Sequence, residues 1–183
     1  EVVTSAQQGG AERTAIDLAR GLRHHGLRST LVTLGRPTRA AFDAPSGTVD
    51  LAELRVPDPD HQARRAARRI VSLGFDLVHG HLLDHGTIQA FAARSLPIAL
   101  TLHNTSAAWP AGTRKLKPQD AQLVIACAQS VERELREAGL SIPTRAIWNG
   151  IDFEAIRPEA SALLRGRAFR EGLGFGPTDF VFL

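Results

Sequence analysis

His79, His81 and His85 stand with Asp84 in the run His79-Gly80-His81-Leu82-Leu83-Asp84-His85. Imidazoles and a carboxylate at such close spacing are the usual donor set for zinc. The spacing argues the other way. The hydrolase pattern H-x-H-x-D-H has one residue before its aspartate, whereas Leu82 and Leu83 both intervene here. The favoured reading is hydrogen-bonding histidines at a strand end, and no metal is expected. His103 closes an apolar run and is followed by Asn104 and Thr105. An imidazole fixed there can donate to a sugar hydroxyl or a phosphate oxygen, with a satisfied core histidine as the alternative.

A second candidate is Gly9-Gly10, which opens a helical pattern. Glycines at a helix start let backbone N–H groups approach an anion under the positive end of the helix dipole. The alternative is a tight turn that needs a positive φ. No G-x-G-x-x-G or G-x-x-x-x-G-K opens this helix, which weakens dinucleotide and P-loop readings. Gly172-Leu173-Gly174-Phe175-Gly176 is followed by Pro177 and an apolar run, and reads as a linker turn. Cys127 lies inside an apolar strand and reads as core. No G-x-S-x-G elbow is present, which removes serine hydrolases.

The elements that must position these residues alternate. Val2 to Thr4 is a half-strand, and Ala11, Ala15, Leu18, Ala19 and Leu22 form a helical stripe ending at Gly26. Strands are predicted over 29–34, 75–78, 96–103, 123–128 and 145–148, with a short one over 49–51. Helices are predicted over 60–73, 85–94 and from Val131 to Gly139. This order predicts a doubly wound parallel α/β sheet, Rossmann-like, whose ligands sit at the carboxyl ends of the strands. The continuous apolar run from Leu123 predicts a strand covered on both faces. Gly9-Gly10, His79 to His81, His103-Asn104 and Asn149-Gly150 all fall just past predicted strands and so converge on one edge.

Composition narrows the class. The chain has 183 residues, 43% hydrophobic and 5% aromatic, which excludes a disordered tail and a collagen. One cysteine cannot form an internal disulfide, and no apolar run approaches the ~20 residues of a membrane span, so a cytoplasmic protein is expected. The net charge is +3, with +4 in the first 150 residues and −1 in the rest. With few aromatics and no RNP-like or zinc-finger motif, the basic excess suits a phosphate-bearing small molecule or an anionic surface, and no nucleic acid is expected. The arginines at 64, 65, 68 and 69 read as a solvated helix face. Glu1 is not methionine, and 2–4 and 180–183 look like parts of strands, so a longer parent chain is expected.

Several stretches, taken in order, resemble one family. Gly9-Gly10-Ala11-Glu12-Arg13 with Leu18-Ala19-Arg20-Gly21-Leu22, Asp76-Leu77-Val78-His79-Gly80-His81, Thr101-Leu102-His103-Asn104, and Trp148-Asn149-Gly150-Ile151-Asp152 with Phe153 and Arg157-Pro158 are similar to the N-terminal domain of retaining glycosyltransferases of family 4. The resemblance implies a GT-B fold, with a first domain holding mostly the hydroxyl acceptor and a second holding mostly the nucleotide-sugar donor. It implies that Gly9 and Gly10 lie near the donor diphosphate, that His103, the catalytic candidate, contacts the transferred sugar or its phosphate, and that His79 and His81 lie near the cleft floor; Asn104, beside His103, is a further substrate-binding candidate. Asn149 and Gly150 would begin the crossing between domains. Residues 1–158 would form the first domain, 159–178 the connection and 179–183 the first strand of a C-terminal domain otherwise missing. Neither cofactor nor metal is implied, peripheral contact with the inner face of the membrane is allowed, and this stretch alone is expected not to turn over.

Two positions depart from the family's pattern. Trp148 stands where a proline usually precedes the Asn-Gly, and Ala128 where a serine usually caps the helix. Competing readings are a nucleotide-sugar epimerase of the same fold, a metal-dependent hydrolase using His79, His81 and Asp84, and a non-catalytic sugar- or phosphate-binding module.

Overall fold

In a computed structural model, the structure describes residues 1–36, 40–52, 58–154, 156–176 and 178–180. It divides into two units, Glu1–Asn149 and Gly150–Leu183. The first unit holds strands β1 (Val2–Val3), β2 (Val32–Thr33), β3 (Val49–Asp50), β4 (Val78–His81), β5 (Ile98–Leu102), β6 (Leu123–Ala126) and β7 (Thr144–Ala146). Between them run helices α1 (Gly10–His24), α2 (Pro59–Ser72), α3 (His85–Ala92) and α4 (Gln129–Glu137). All strand pairs are parallel, in the order β3-β2-β1-β4-β5-β6-β7. The chain winds outward from β1 in one direction and, after α2, from β4 in the other. The sequence prediction of a doubly wound Rossmann-like sheet therefore holds.

Local chemistry explains the helix ends. Asp58 accepts the backbone N–H of Asp60 and Pro59 occupies the first turn of α2, where its missing donor costs nothing. Gly26 and Gly139, the predicted stops of α1 and α4, adopt φ of +78° and +73°, a conformation that other residues resist. On α2, Ala63, Ala66, Ala67 and Ile70 are buried while Arg64, Arg65, Arg68 and Arg69 face solvent.

One core layer joins Val2, Val78, Ile98, Leu100 and Val124 to Ile70, Phe91 and Leu135. The opposite layer is smaller, with Val3 packed against Ala15, Ile16 and Ala19 of α1. Along β6, Val124 and Ala126 are buried but Leu123 and Ile125 only half-buried, so this strand is fully covered on one face rather than the predicted two. A continuous apolar run does not report which face its helices reach.

The second unit contains α5 (Ala160–Gly172), an element the sequence reading passed over as connection. Its weak amphipathic pattern leaves no side chain buried, so no periodic stripe announces it. Asp179 and Phe180 lie in no regular element, and residues 181–183 of the predicted last strand lie outside the described residues.

The extended backbone of Ala128 (φ −153°, ψ 158°) is that of a helix cap, but alanine offers no oxygen to the first turn of α4. Ala128→Ser is therefore expected to raise stability by about 1 kcal/mol, seen as a higher urea midpoint at unchanged slope.

Candidate functional site

Side chains two residues apart on a strand share a face. His79 and His81 thus project together from β4, and the register sets Ala99 and Thr101 of β5 beside them. Val2 pairs with Gly80, which brings Glu1 alongside His79 from the head of β1. Two residues past Thr101, His103 continues the same face beyond the end of β5. The result is a connected chain. Glu1 Oε2 lies 2.8 Å from both His79 Nδ1 and His81 Nε2, His79 Nε2 lies 2.7 Å from Thr101 Oγ1, and His81 Nδ1 lies 3.0 Å from His103 Nε2. The rings of His81 and His103 stack with centroids 5.3 Å apart.

His79 and His81 thus sit inside β4 rather than past it as the sequence predicted, because the strand runs on through Gly80. Glycine is suited there. A Cβ on Gly80 would stand 2.6 Å from Leu83 Cδ1, a side chain that folds back under the strand. Leu82 makes that reversal with a φ of +52°, uncommon for a residue with a side chain.

Burial dominates the electrostatics. It opposes the charge of the Glu1 carboxyl, but hydrogen bonds from His79 and His81, together with the positive charges of the amino terminus and His79, outweigh it and hold that group well below the usual carboxylate range. Burial lowers His81, and it lowers His103 from the ordinary 6.5 to about 4, helped by the charges of His81 and His79. Among the described residues, two buried side-chain polar atoms have no hydrogen-bond partner, His103 Nδ1 and His85 Nε2.

The run from His79 to His85 serves three separate tasks. Asp84 caps α3, accepting from the backbone N–H and the hydroxyl of Thr87 at 2.9 and 2.8 Å. His85 turns to Asp120, 3.7 Å away, and lies against Gly112, where a Cβ would meet it. Among the described residues, one group of three or more potential metal ligands brings its atoms within 4.8 Å of one another: Glu1, His79 and His81. Both imidazoles donate to one carboxylate oxygen, Glu1 Oε2.

The remaining candidates fall elsewhere. Gly9 caps α1 with an extended φ of −159°, so the pair makes no left-handed turn, and as a glycine it offers no side-chain acceptor to the first amides of this helix. Asn104 Nδ2 reaches Ala108 O at 3.5 Å, and the backbone carbonyl of Asn104 accepts from Trp109 Nε1 at 3.0 Å. Asn149 ends the first unit and Gly150 opens the second. At the carboxyl ends of β1 and β2, beside the starts of α2 and α3, lies a cleft of about 450 Å³ lined by Thr4, Ser5, Gln7, Arg36, Gln62 and Asp84 among others. The sequence reading missed Glu1 and Thr101. A charged residue heading an apolar strand was the available signal for Glu1, but only the strand order shows what it meets.

Comparison with known proteins agrees with this architecture. The profile of Glycosyltransferase Family 4 matches residues 8–155. A solved structure of a sucrose-phosphate synthase from Thermosynechococcus elongatus superposes with a TM-score of 0.51 at 14% identity, covering 94% of this chain and 99% of that one. A search among curated proteins finds no match.

The depressed imidazoles give stability a definite pH dependence. Between pH 4 and 6.5 the unfolded chain binds more protons at His103 than the folded one, so stability rises with pH across that window. Below its ordinary 4.5, Glu1 adds a contribution of the same sign. The urea midpoint is expected to hold above about pH 6.5 and to fall steadily toward pH 4, less steeply in His103→Gln. A flat profile would contradict the neutral, buried cluster.

Proposed function

The chain belongs to glycosyltransferase family 4, and from that premise we propose that it is the acceptor-side half of a retaining enzyme that moves a sugar from a nucleotide-sugar to a hydroxyl. The observation that carries the reading is the family match over residues 8–155 on a parallel sheet whose β5 leads directly into His103. In this reading His103 meets the transferred sugar, Gly9 and Gly10 face the donor diphosphate at the start of α1, and Asn104 stands beside the reacting groups. Negative charge develops on the departing diphosphate, and fixed donors aimed at it lower the barrier without any metal. His79 and His81 support the floor from within β4.

The cleft at the ends of β1 and β2 is the proposed acceptor site. Its hydroxyl, amide and carboxylate groups suit a polyhydroxylated molecule, and Arg36 suits one that carries an anion. Residues 1–158 form the proposed first domain, 159–178 the connection and 179–183 the start of a nucleotide-binding domain, with Asn149-Gly150 at the crossing. A nucleotide-sugar donor places the reaction in the cytoplasm, with peripheral contact at the inner membrane face for an acceptor carried there.

The test is a transfer assay on protein expressed from the whole reading frame that contains these residues, using a panel of nucleotide-sugars and hydroxyl acceptors. Transfer with retention is expected, and His103→Ala should lower kcat/KM by at least tenfold. A change within twofold would remove His103 from the site, and no transfer across the panel would remove the assignment. The 183-residue stretch alone is expected to give none.

A further inference from the structure

Hydrogen-bond directions in the buried cluster follow from its one acceptor-only member. An ionised carboxylate accepts and cannot donate, so each nitrogen facing Glu1 Oε2 must carry a proton. His81 therefore donates through Nε2. Because this ring is buried and neutral, its Nδ1 holds a lone pair and accepts the N–H at His103 Nε2, 3.0 Å away. His103 is neutral too, so its own Nδ1 holds a lone pair, and this is the buried atom left without a partner. A single charge at Glu1 thus dictates the proton positions of a ring it does not touch.

We propose that Glu1 and His81 are positioning residues for His103, fixing it as the neutral tautomer protonated at Nε2, with Nδ1 offered as an acceptor to a ligand hydroxyl rather than to a phosphate oxygen. The inference rests on the reading above that His103 meets the sugar, and it narrows that contact. A hydroxyl donates to a lone pair, whereas a phosphate oxygen has only acceptor sites to offer it. Nδ1 is buried in this structure, so a hydroxyl reaches it by a tilt of the ring. Catalytic hydrogen bonds commonly tighten in this way when a ligand arrives.

Imidazole 15N resonances of the 183-residue chain at pH 7 decide the matter, because they report which nitrogen carries the proton without any need for activity. The expected pattern is His103 protonated at Nε2 and bare at Nδ1. In Glu1→Gln the amide can donate to His81 Nε2, which frees the tautomers of both His81 and His103, and a shift of proton occupancy toward Nδ1 of His103 is expected. Wild-type His103 protonated at Nδ1, or a folded Glu1→Gln chain with unchanged tautomers, would overturn the proposal. So would protonation of Nδ1 on adding inorganic pyrophosphate. If Glu1→Gln does not fold, the wild-type spectrum and the pyrophosphate titration still decide. The functional reading fails separately, through the transfer assay with His103→Ala.

Discussion

A buried carboxylate shared by two imidazoles is the interaction on which the centre of this sheet depends. The side chain of Glu1 is 4% exposed and that of His81 is fully buried. An isolated charge so placed would cost several kcal/mol, and it is tolerated only because N–H donors converge on it. Those donors cannot come from neighbours in sequence. They come from β4, far along the chain, and they reach Glu1 because β1 and β4 are adjacent in a doubly wound order. Topology and polar network therefore specify each other: a different strand order would leave the carboxylate without donors, and an apolar residue at Glu1 would leave the buried His81 and the half-buried His79 short of an acceptor.

The same register explains how a core element reaches the functional edge. Each imidazole bridges about one strand spacing, so Glu1, His81 and His103 step across β1, β4 and β5 toward the carboxyl end of the sheet. Thr101 fixes His79 from the side by its hydroxyl. Cys127 also contributes, its thiol donating to the His103 carbonyl at 3.3 Å, and burial pushes that thiol's pKa up, away from nucleophilic chemistry. A residue read from sequence as core filling thus pins the backbone of the residue proposed to meet the sugar.

Much of this was legible in the sequence, for identifiable reasons. Helical periodicity showed α1 and α2, glycines marked their ends, and the alternation of elements gave a parallel sheet. His103 was found because it terminates an apolar run, a local signal. Glu1 was missed because its meaning is wholly nonlocal, and α5 because its apolar residues follow no stripe. The apparent metal cluster shows the limit from the other side. His79, His81, Asp84 and His85 are close in sequence, yet the strand end and the turn at Leu82 send Asp84 to cap a helix and His85 to a different acid. Sequence proximity predicts spatial clustering only while the backbone keeps one direction, and here it reverses between the second histidine and the aspartate.

The second unit obeys a different balance. α5 spans 13 residues with none buried, and isolated helices shorter than ~12–15 residues are marginal in water. What holds its end is polar and local: Arg170 donates to the carbonyls of Gly176 and Asp179 at 3.1 and 2.6 Å, while the Asp179 carboxylate accepts from the Gly176 amide at 2.7 Å. Leu163, Leu164 and Phe169 meanwhile stand 55%, 66% and 65% exposed. Full burial of such side chains is worth roughly 1.5–3 kcal/mol each, enough to turn a marginal helix into a fixed one. The nucleotide-binding domain proposed to begin at 179 would supply that apolar cover, so the order of the connection and the completion of the donor site would be one event. On this argument the first unit carries its own core and polar network, whereas the precision of α5 depends on what packs against it.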